Sequence, residues 1–275
     1  MATDHVGNPL KAAWAADCQT IGTWCSLPAL GAVEAVAQAG FDWVIIDWQH
    51  GQFDGESLGL MIQTAAVAGA VPLVRVPLNE PWMIQKALDL GGFGIIVPLV
   101  NTAEEAVAAV AACRYAPLGI RSFGPIRAAR AIGWEPEQAN AEVLCIVQIE
   151  TRESLENVAK IAAVPGVDGM FVGPADLAIS MGLPLGSPEV DASLGPVIAA
   201  GAANGVAVGR NCDLPPDARA AFAAGFLFVG VGGDTEFLGR AANEAARASL
   251  PEPANRGTYV DNVVRLLVST APPAP

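Results

Sequence analysis

Eight short apolar runs, alternating with Ala-rich stretches, constrain what this chain can fold into. The runs are Thr20–Trp24, Trp43–Asp47, Val71–Val76, Gly94–Val100, Val143–Glu150, Gly169–Gly173, Val206–Asn211 and Phe226–Gly232. Between them the pattern predicts helices at Gly31–Ala39, Gly55–Ala68, Pro81–Leu90, Ala103–Ala112, Arg152–Ala162, Ser193–Ala203 and Glu236–Ala248. Runs this apolar must be covered on both faces, as the strands of a parallel sheet are. Strand–helix alternation joins parallel strands by crossovers. A count near eight points to a closed (β/α)8 barrel, the TIM barrel; an open doubly wound sheet competes but needs no particular count. Glycines at Ala39-Gly40, Ala68-Gly69, Gly91-Gly92, Pro165-Gly166 and Ala224-Gly225 read as helix stops feeding the next strand. Arg114–Asn140 is an insert between the fourth and fifth strands. Beyond the barrel, Val260, Val263, Val264 and Leu267 make Pro251–Ser269 an additional, amphipathic C-terminal helix. It packs either on its own barrel or on a neighbouring subunit. The expected organisation is a single domain: a barrel over about 20–249, then the C-terminal helix and tail at 251–275, with Ala271–Pro275 disordered.

The totals agree with one large core: 275 residues, of which 52% are hydrophobic. A net charge of -13 argues against nucleic acid or an anionic membrane as partner, since both need clustered Lys and Arg. The five cysteines form no Cys-x-x-Cys pair, and Cys145 sits inside an apolar run. That is the usage of a reduced, cytoplasmic protein. Met1–Asp17 has no stretch fit for a signal peptide, and no apolar run is long enough to span a bilayer unbroken.

In such barrels catalytic groups come from the carboxyl ends of the strands. Those ends carry Asp47 and His50, Arg75, Gln148 and Glu150, Asp176, Arg210 and Asn211, and Asp234. Glu150 and Asp176 each end a buried run. Two acids on one rim repel each other, and burial makes each charge costly unless it is partnered. Either a hard divalent cation on oxygen ligands relieves both, or the pair forms salt bridges with Arg75 and a neighbour. His50, beside Asp47, is either a general base whose tautomer a carboxylate fixes or a loop and capping histidine. Arg75, alone in an apolar strand, must meet an anion, which is either a structural Asp or a substrate oxygen. Gly173-Pro174-Ala175-Asp176 opens a helix whose free N–H groups can hold a carboxylate, or is an ordinary helix start. Asp89 reads as a solvated helix residue. The three lysines, Lys11, Lys86 and Lys160, end no strand, so a Schiff-base mechanism lacks its nucleophile. No nucleoside-triphosphate or dinucleotide loop is present. What remains is cation-assisted enolate chemistry at a 2-oxo acid.

Ile46-Asp47-Trp48-Gln49-His50, Val74-Arg75, Val97-Pro98-Leu99-Val100, Gln148-Ile149-Glu150-Thr151-Arg152 and Val172-Gly173-Pro174-Ala175-Asp176-Leu177 together resemble the class II pyruvate aldolases of the HpcH/HpaI family over roughly Thr20 to Ala248. The resemblance implies a TIM barrel. It also implies a divalent metal on Glu150 and Asp176: magnesium or manganese, with cobalt and zinc as alternatives. Pyruvate and an aldehyde are the implied small-molecule partners. Gln148, Gly173, Pro174 and Ala175 would lie around the substrate, with the backbone of Ala175 and Asp176 on its carboxylate. Arg75 would stabilise the enolate oxygen, and His50, paired with Asp89, would handle protons through water. Members are typically homohexamers, trimers of dimers, which exchange C-terminal helices.

The chain departs from that pattern. Gln49 stands where members usually carry Glu, and Trp48, which would line the mouth, where they carry a small residue. Arg210-Asn211 replaces aliphatic residues that contact the aldehyde. Arg210 either favours an acidic or phosphorylated aldehyde or pairs with Asp213. The expected activity is reversible cleavage of a 4-hydroxy-2-oxo acid to pyruvate and an aldehyde. The alternatives are a decarboxylase or carbon–carbon-forming synthase using the same enolate, and a non-catalytic barrel that binds a 2-oxo acid.

Overall fold

The computed structural model describes residues 7–249, with the backbone alone at residues 130 and 131. Eight parallel strands close into a barrel in chain order: β1 (Thr20–Cys25), β2 (Trp43–Asp47), β3 (Val71–Arg75), β4 (Gly94–Val97), β5 (Leu144–Ile149), β6 (Gly169–Val172), β7 (Ala207–Cys212) and β8 (Phe228–Gly233). The open-sheet alternative is thereby removed. All five expected stops (Gly40, Gly69, Gly91, Gly166 and Gly225) take positive φ, between 95° and 105°, where a Cβ would clash with the backbone.

The alternation of each strand divides the core in two. Trp43, Ile45, Leu73, Ile96, Leu144, Ile146, Phe171 and Phe228 point into the barrel, while Val44, Val74, Ile95, Val147, Val172 and Val229 point out against the helices. Glycines make room for the large rings inside: a Cβ on Gly22 would lie 2.1 Å from the Trp43 ring. The helix Pro9–Ala15, which the sequence pattern did not reveal, closes the amino-terminal end. Its Trp14 stacks on Phe228 with ring centroids 4.4 Å apart, and the indoles of Trp14 and Trp43 both donate to the Thr20 hydroxyl.

Several boundaries differ for local reasons. β4 stops at Val97 because Pro98 lacks a donor and Leu99 turns to φ 54°. The helix expected over Arg152–Ala162 is two, Arg152–Glu156 and Val158–Ala162. The helix that Gly173-Pro174-Ala175-Asp176 opens runs over Pro174–Met181, and the connection from β7 to β8 holds a further helix, Pro215–Ala224, that the pattern does not predict. The insert carries the helices Ala128–Ala131 and Pro136–Glu142 and an aromatic row, Tyr115, Phe123 and Trp134, with centroids 5.6 and 6.1 Å apart. The chain divides into two compact units between Thr235 and Glu236, the first holding the barrel. The last described helix is Asp234–Ser249. The expected C-terminal helix at Pro251–Ser269, the tail and His5 lie outside the described residues. Among the described residues, no helix is long and apolar enough to cross a membrane.

Candidate active site

Period-two alternation selects which strand-end residues face the mouth. On β5, Leu144 and Ile146 point inward, so Gln148 and Glu150 do too. The same parity sends Asp47, Arg75, Gly173 and Asn211 inward and Arg210 outward. Arg210 accordingly donates to Asp191 at 2.7 Å, in the helix Pro188–Ala192, and its guanidinium lies over the ring of Phe226. Its acidic partner is therefore Asp191, not Asp213, and it stands on the helix side of β7 rather than in the mouth.

Arg75 and Asp47 face each other across β2 and β3. Nε donates to Oδ1 at 2.8 Å and Nη2 to Oδ2 at 2.7 Å. Both residues are buried. Such a pair roughly breaks even in stability, but removing one partner alone costs about 3–5 kcal/mol. What the fork supplies is orientation. The reading in which Arg75 neutralises Glu150 and Asp176 directly is not what forms, because its fork is committed to Asp47.

Glu150 follows the last residue of β5 and is 2% exposed. Its Oε1 accepts the Leu99 N–H at 2.7 Å. Leu99 reaches it from a left-handed backbone that a branched residue adopts only at a cost. The loop is held from several sides. Asn101 Nδ2 donates to the Leu99 carbonyl at 3.1 Å, and the Thr151 hydroxyl donates to Asn101 Oδ1. Gly173 packs so close that a Cβ there would lie 2.8 Å from both Glu150 Oε2 and Gln148 Nε2. Burial pushes the Glu150 carboxyl up to about 7; the Leu99 N–H lowers it, the Asp176 carboxylate raises it and the Arg75 charge lowers it. Asp176 itself is exposed, in the first turn of Pro174–Met181, with Pro174 and Ala175 ahead of it.

Among the described residues Glu150 has no ion-pair partner, and no three His, Cys, Asp or Glu side chains gather as a metal cluster. The donor set at this corner is two carboxylates plus Gln148, whose buried Oε1 has no hydrogen-bond partner among the described residues. Two or three hard oxygens with open positions fit a hexacoordinate cation that keeps waters or substrate oxygens, the mode magnesium prefers. They do not fit a closed zinc site. The same cation would relieve the cost that lifts the Glu150 carboxyl.

The remaining candidates sit as follows. His50 is exposed, in the turn after β2, and its contact with Asp47 runs through its backbone N–H, which donates to Oδ1 at 3.3 Å. With both Asp47 oxygens on Arg75, tautomer control of His50 by Asp47 is not what forms. Asp89 ends the helix Pro81–Asp89 and accepts from Arg121 Nη2 at 2.7 Å. The structure thus gives Asp89 to an insert arginine, where the resemblance gives it to His50. Trp48 meets Trp82 edge-on, with centroids 6.1 Å apart. Asp234 caps the loop after β1, accepting from the N–H groups of Ser26 and Leu27 at 3.0 Å. One mouth residue escaped the sequence reading. Trp24, inward on β1 by the same alternation as Asp47, lies under Arg75, whose Cζ is 4.3 Å from its ring centroid.

The comparisons with known proteins meet this geometry. The profile of the HpcH/HpaI aldolase/citrate lyase family matches residues 20–241. The 5-keto-4-deoxy-D-glucarate aldolase of Citrobacter koseri is 38% identical over 254 residues, 90% of this chain and 98% of that protein. The 2-dehydro-3,6-dideoxy-6-sulfogluconate aldolase of Pseudomonas putida is 38% identical over 230 residues, 82% of this chain and 90% of that protein. The crystal structure of an HpcH/HpaI aldolase/citrate lyase family protein from Burkholderia cenocepacia J2315 superimposes with a TM-score of 0.82 at 37% identity, covering 88% of this chain and 98% of that one. The chain belongs to the HpcH/HpaI aldolase/citrate lyase family and is an enzyme of the carbon–carbon lyase class that its aldolase relatives represent.

Proposed function

We propose that the protein is a divalent-metal-dependent class II aldolase that reversibly cleaves a 4-hydroxy-2-oxo acid to pyruvate and an aldehyde. The observation that carries this reading is Glu150: a buried carboxyl that feels the charges of Asp176 and Arg75 and is lifted to about 7 by burial. Glu150 and Asp176 would hold the cation, magnesium or manganese, with cobalt, or zinc in an open site, as alternatives. When bound, the cation supplies positive charge against the 2-oxo oxygen.

The chain's own groups do the rest. The free N–H groups of Ala175 and Asp176, after Gly173 and Pro174, take the substrate carboxylate at the helix start. Gln148 lines the same corner. A water held near His50 removes the proton of the C4 hydroxyl. The C3–C4 bond then breaks, its electron pair moves onto the pyruvate fragment, and the aldehyde leaves. Arg75, aligned by Asp47, stabilises the charge that develops on the enolate oxygen. The proton taken from the hydroxyl, or one exchanged for it with solvent, returns through that water to C3 and completes pyruvate. Asp89 acts on His50 only after exchanging its Arg121 partner. Trp48 and Asn211 border the aldehyde side, and Arg210 acts there only if it leaves Asp191. The active protein is a cytoplasmic homo-oligomer, a hexamer.

Exchange of the pyruvate methyl protons for deuterium tests the core of this reading. It should depend on manganese, stop with EDTA and be lost in Glu150→Gln. Full-rate exchange in that variant would remove Glu150 from the site. NMR of pyruvate mixed with a panel of aldehydes then identifies the acceptor.

A further inference from the structure

Arg75 is constrained twice, in two directions. The Asp47 fork takes Nε and Nη2 and fixes the guanidinium within its own plane, leaving Nη1 for a substrate oxygen. A fork alone lets that plane swing about the line joining the two bonds. The Trp24 ring face, 4.3 Å from Cζ, blocks the swing. Trp24 is itself tethered: its indole N–H donates to Asn211 Oδ1 at 2.7 Å. An indole nitrogen only donates, so the amide oxygen, not the NH2, must face it.

The backbone around this pair is built for it. Trp24 and Asn211 come from β1 and β7 and meet above β8 over Gly230, where a Cβ would lie 3.1 Å from Asn211 Oδ1 and 3.5 Å from Trp24 Nε1. Between Gly22–Gly230 and Trp24–Gly233, β8 carries one extra residue, a bulge. Gly232 supplies its positive φ, and the Thr23 hydroxyl donates to the carbonyls of Val231 and Gly232.

We propose that Asn211 and Trp24 are positioning residues for this reaction: Asn211 locks the Trp24 indole, and the indole face holds Arg75 with Nη1 aimed at the developing oxyanion. The inference rests on the aldolase reading for its chemistry, but the lock can be observed without turnover. The test uses the full-length protein, with diamagnetic magnesium for NMR and manganese for kinetics and calorimetry, and compares N211L, W24F and the double variant. Indole and Arg side-chain N–H resonances are followed by NMR, Trp24 and Arg75 being assigned by loss in W24F and R75K. In N211L the Trp24 indole signal should shift and exchange faster, and the Arg75 Nε–H signal should broaden. The kcat for pyruvate proton exchange should fall about tenfold in N211L and in W24F, with the KM for pyruvate changed less than about twofold, the pattern of a group that matters only in the transition state. Manganese affinity by calorimetry should stay unchanged. Because Asn211 acts through Trp24, adding N211L to W24F should cost nothing more. Additive losses, or an Arg75 signal untouched by N211L, would overturn the proposal. If the wild-type protein shows no manganese-dependent exchange, the aldolase reading fails, while the Arg75 resonance still decides whether the lock exists.

Discussion

At the scale of the residue, Glu150 holds the sharpest consequence. Its folded-state carboxyl titrates near 7 against an ordinary value of 4.5. Between those values the folded chain keeps a proton that the unfolded chain has lost, so stability of the metal-free protein falls as pH rises through that window. The full cost, about 3 kcal/mol, is present above pH 7 and absent below the unfolded value. Glu150→Gln removes the titration. In EDTA at pH 8 it should therefore be more stable than the wild type by up to about 3 kcal/mol in urea unfolding, with the gap closing towards pH 4.5. An equal or lower stability at pH 8 would mean that the acid is not strained there. Much of the site at this scale was legible. Apolar strands ending in Arg75 and Glu150 announced themselves because charge in such runs must have a purpose. The partners were less so. Asp89 finds Arg121 from a distant insert, and nothing in local spacing discloses that. Arg210 and Asn211 were read together, although strict alternation already separates them, and it would have brought Trp24 in.

At the scale of the element, local signals match the structure closely. Thr102 begins the helix Ala103–Cys113 with a full capping box: its hydroxyl takes the Glu105 N–H while Glu105 returns to the Thr102 N–H. Thr102→Ala should cost about 1 kcal/mol in thermal or urea unfolding. Glu105 also accepts the Asn101 N–H, and Asn101 ties down the loop that carries Leu99. Manganese affinity should therefore weaken by a few fold in the same variant, whereas a purely remote cap would leave it unchanged. Strand cores and glycine stops were readable because burial and positive φ leave few residue choices. The insert was not, since its short helices and aromatic row depend on each other and on the barrel rather than on their own periodicity.

At the scale of the whole molecule, a net charge of -13 surrounds a mouth that holds Arg75. On the proposed reading, an anionic 2-oxo acid would approach against the overall field and be captured only near the rim. Raising ionic strength from about 10 mM to about 150 mM shortens the screening length from roughly 30 Å to roughly 8 Å. The KM for pyruvate should fall over that range while the kcat stays level; a rise would mean that local attraction outweighs the global repulsion. The barrel itself was legible from eight apolar runs, because closing eight parallel strands is the simplest way to bury all of them.

The amino-terminal helix was not, and it lies beneath a packed floor that decides how traffic moves. With Trp14 seated on Phe228 and Trp43 filling the floor, the barrel is a cul-de-sac among the described residues. Whatever lodges deepest arrives first and departs last. On the proposed reading, a two-product cleavage at a barrel closed on this side would release the outer fragment before the inner one, and the inner fragment would inhibit the next cycle simply by staying in place.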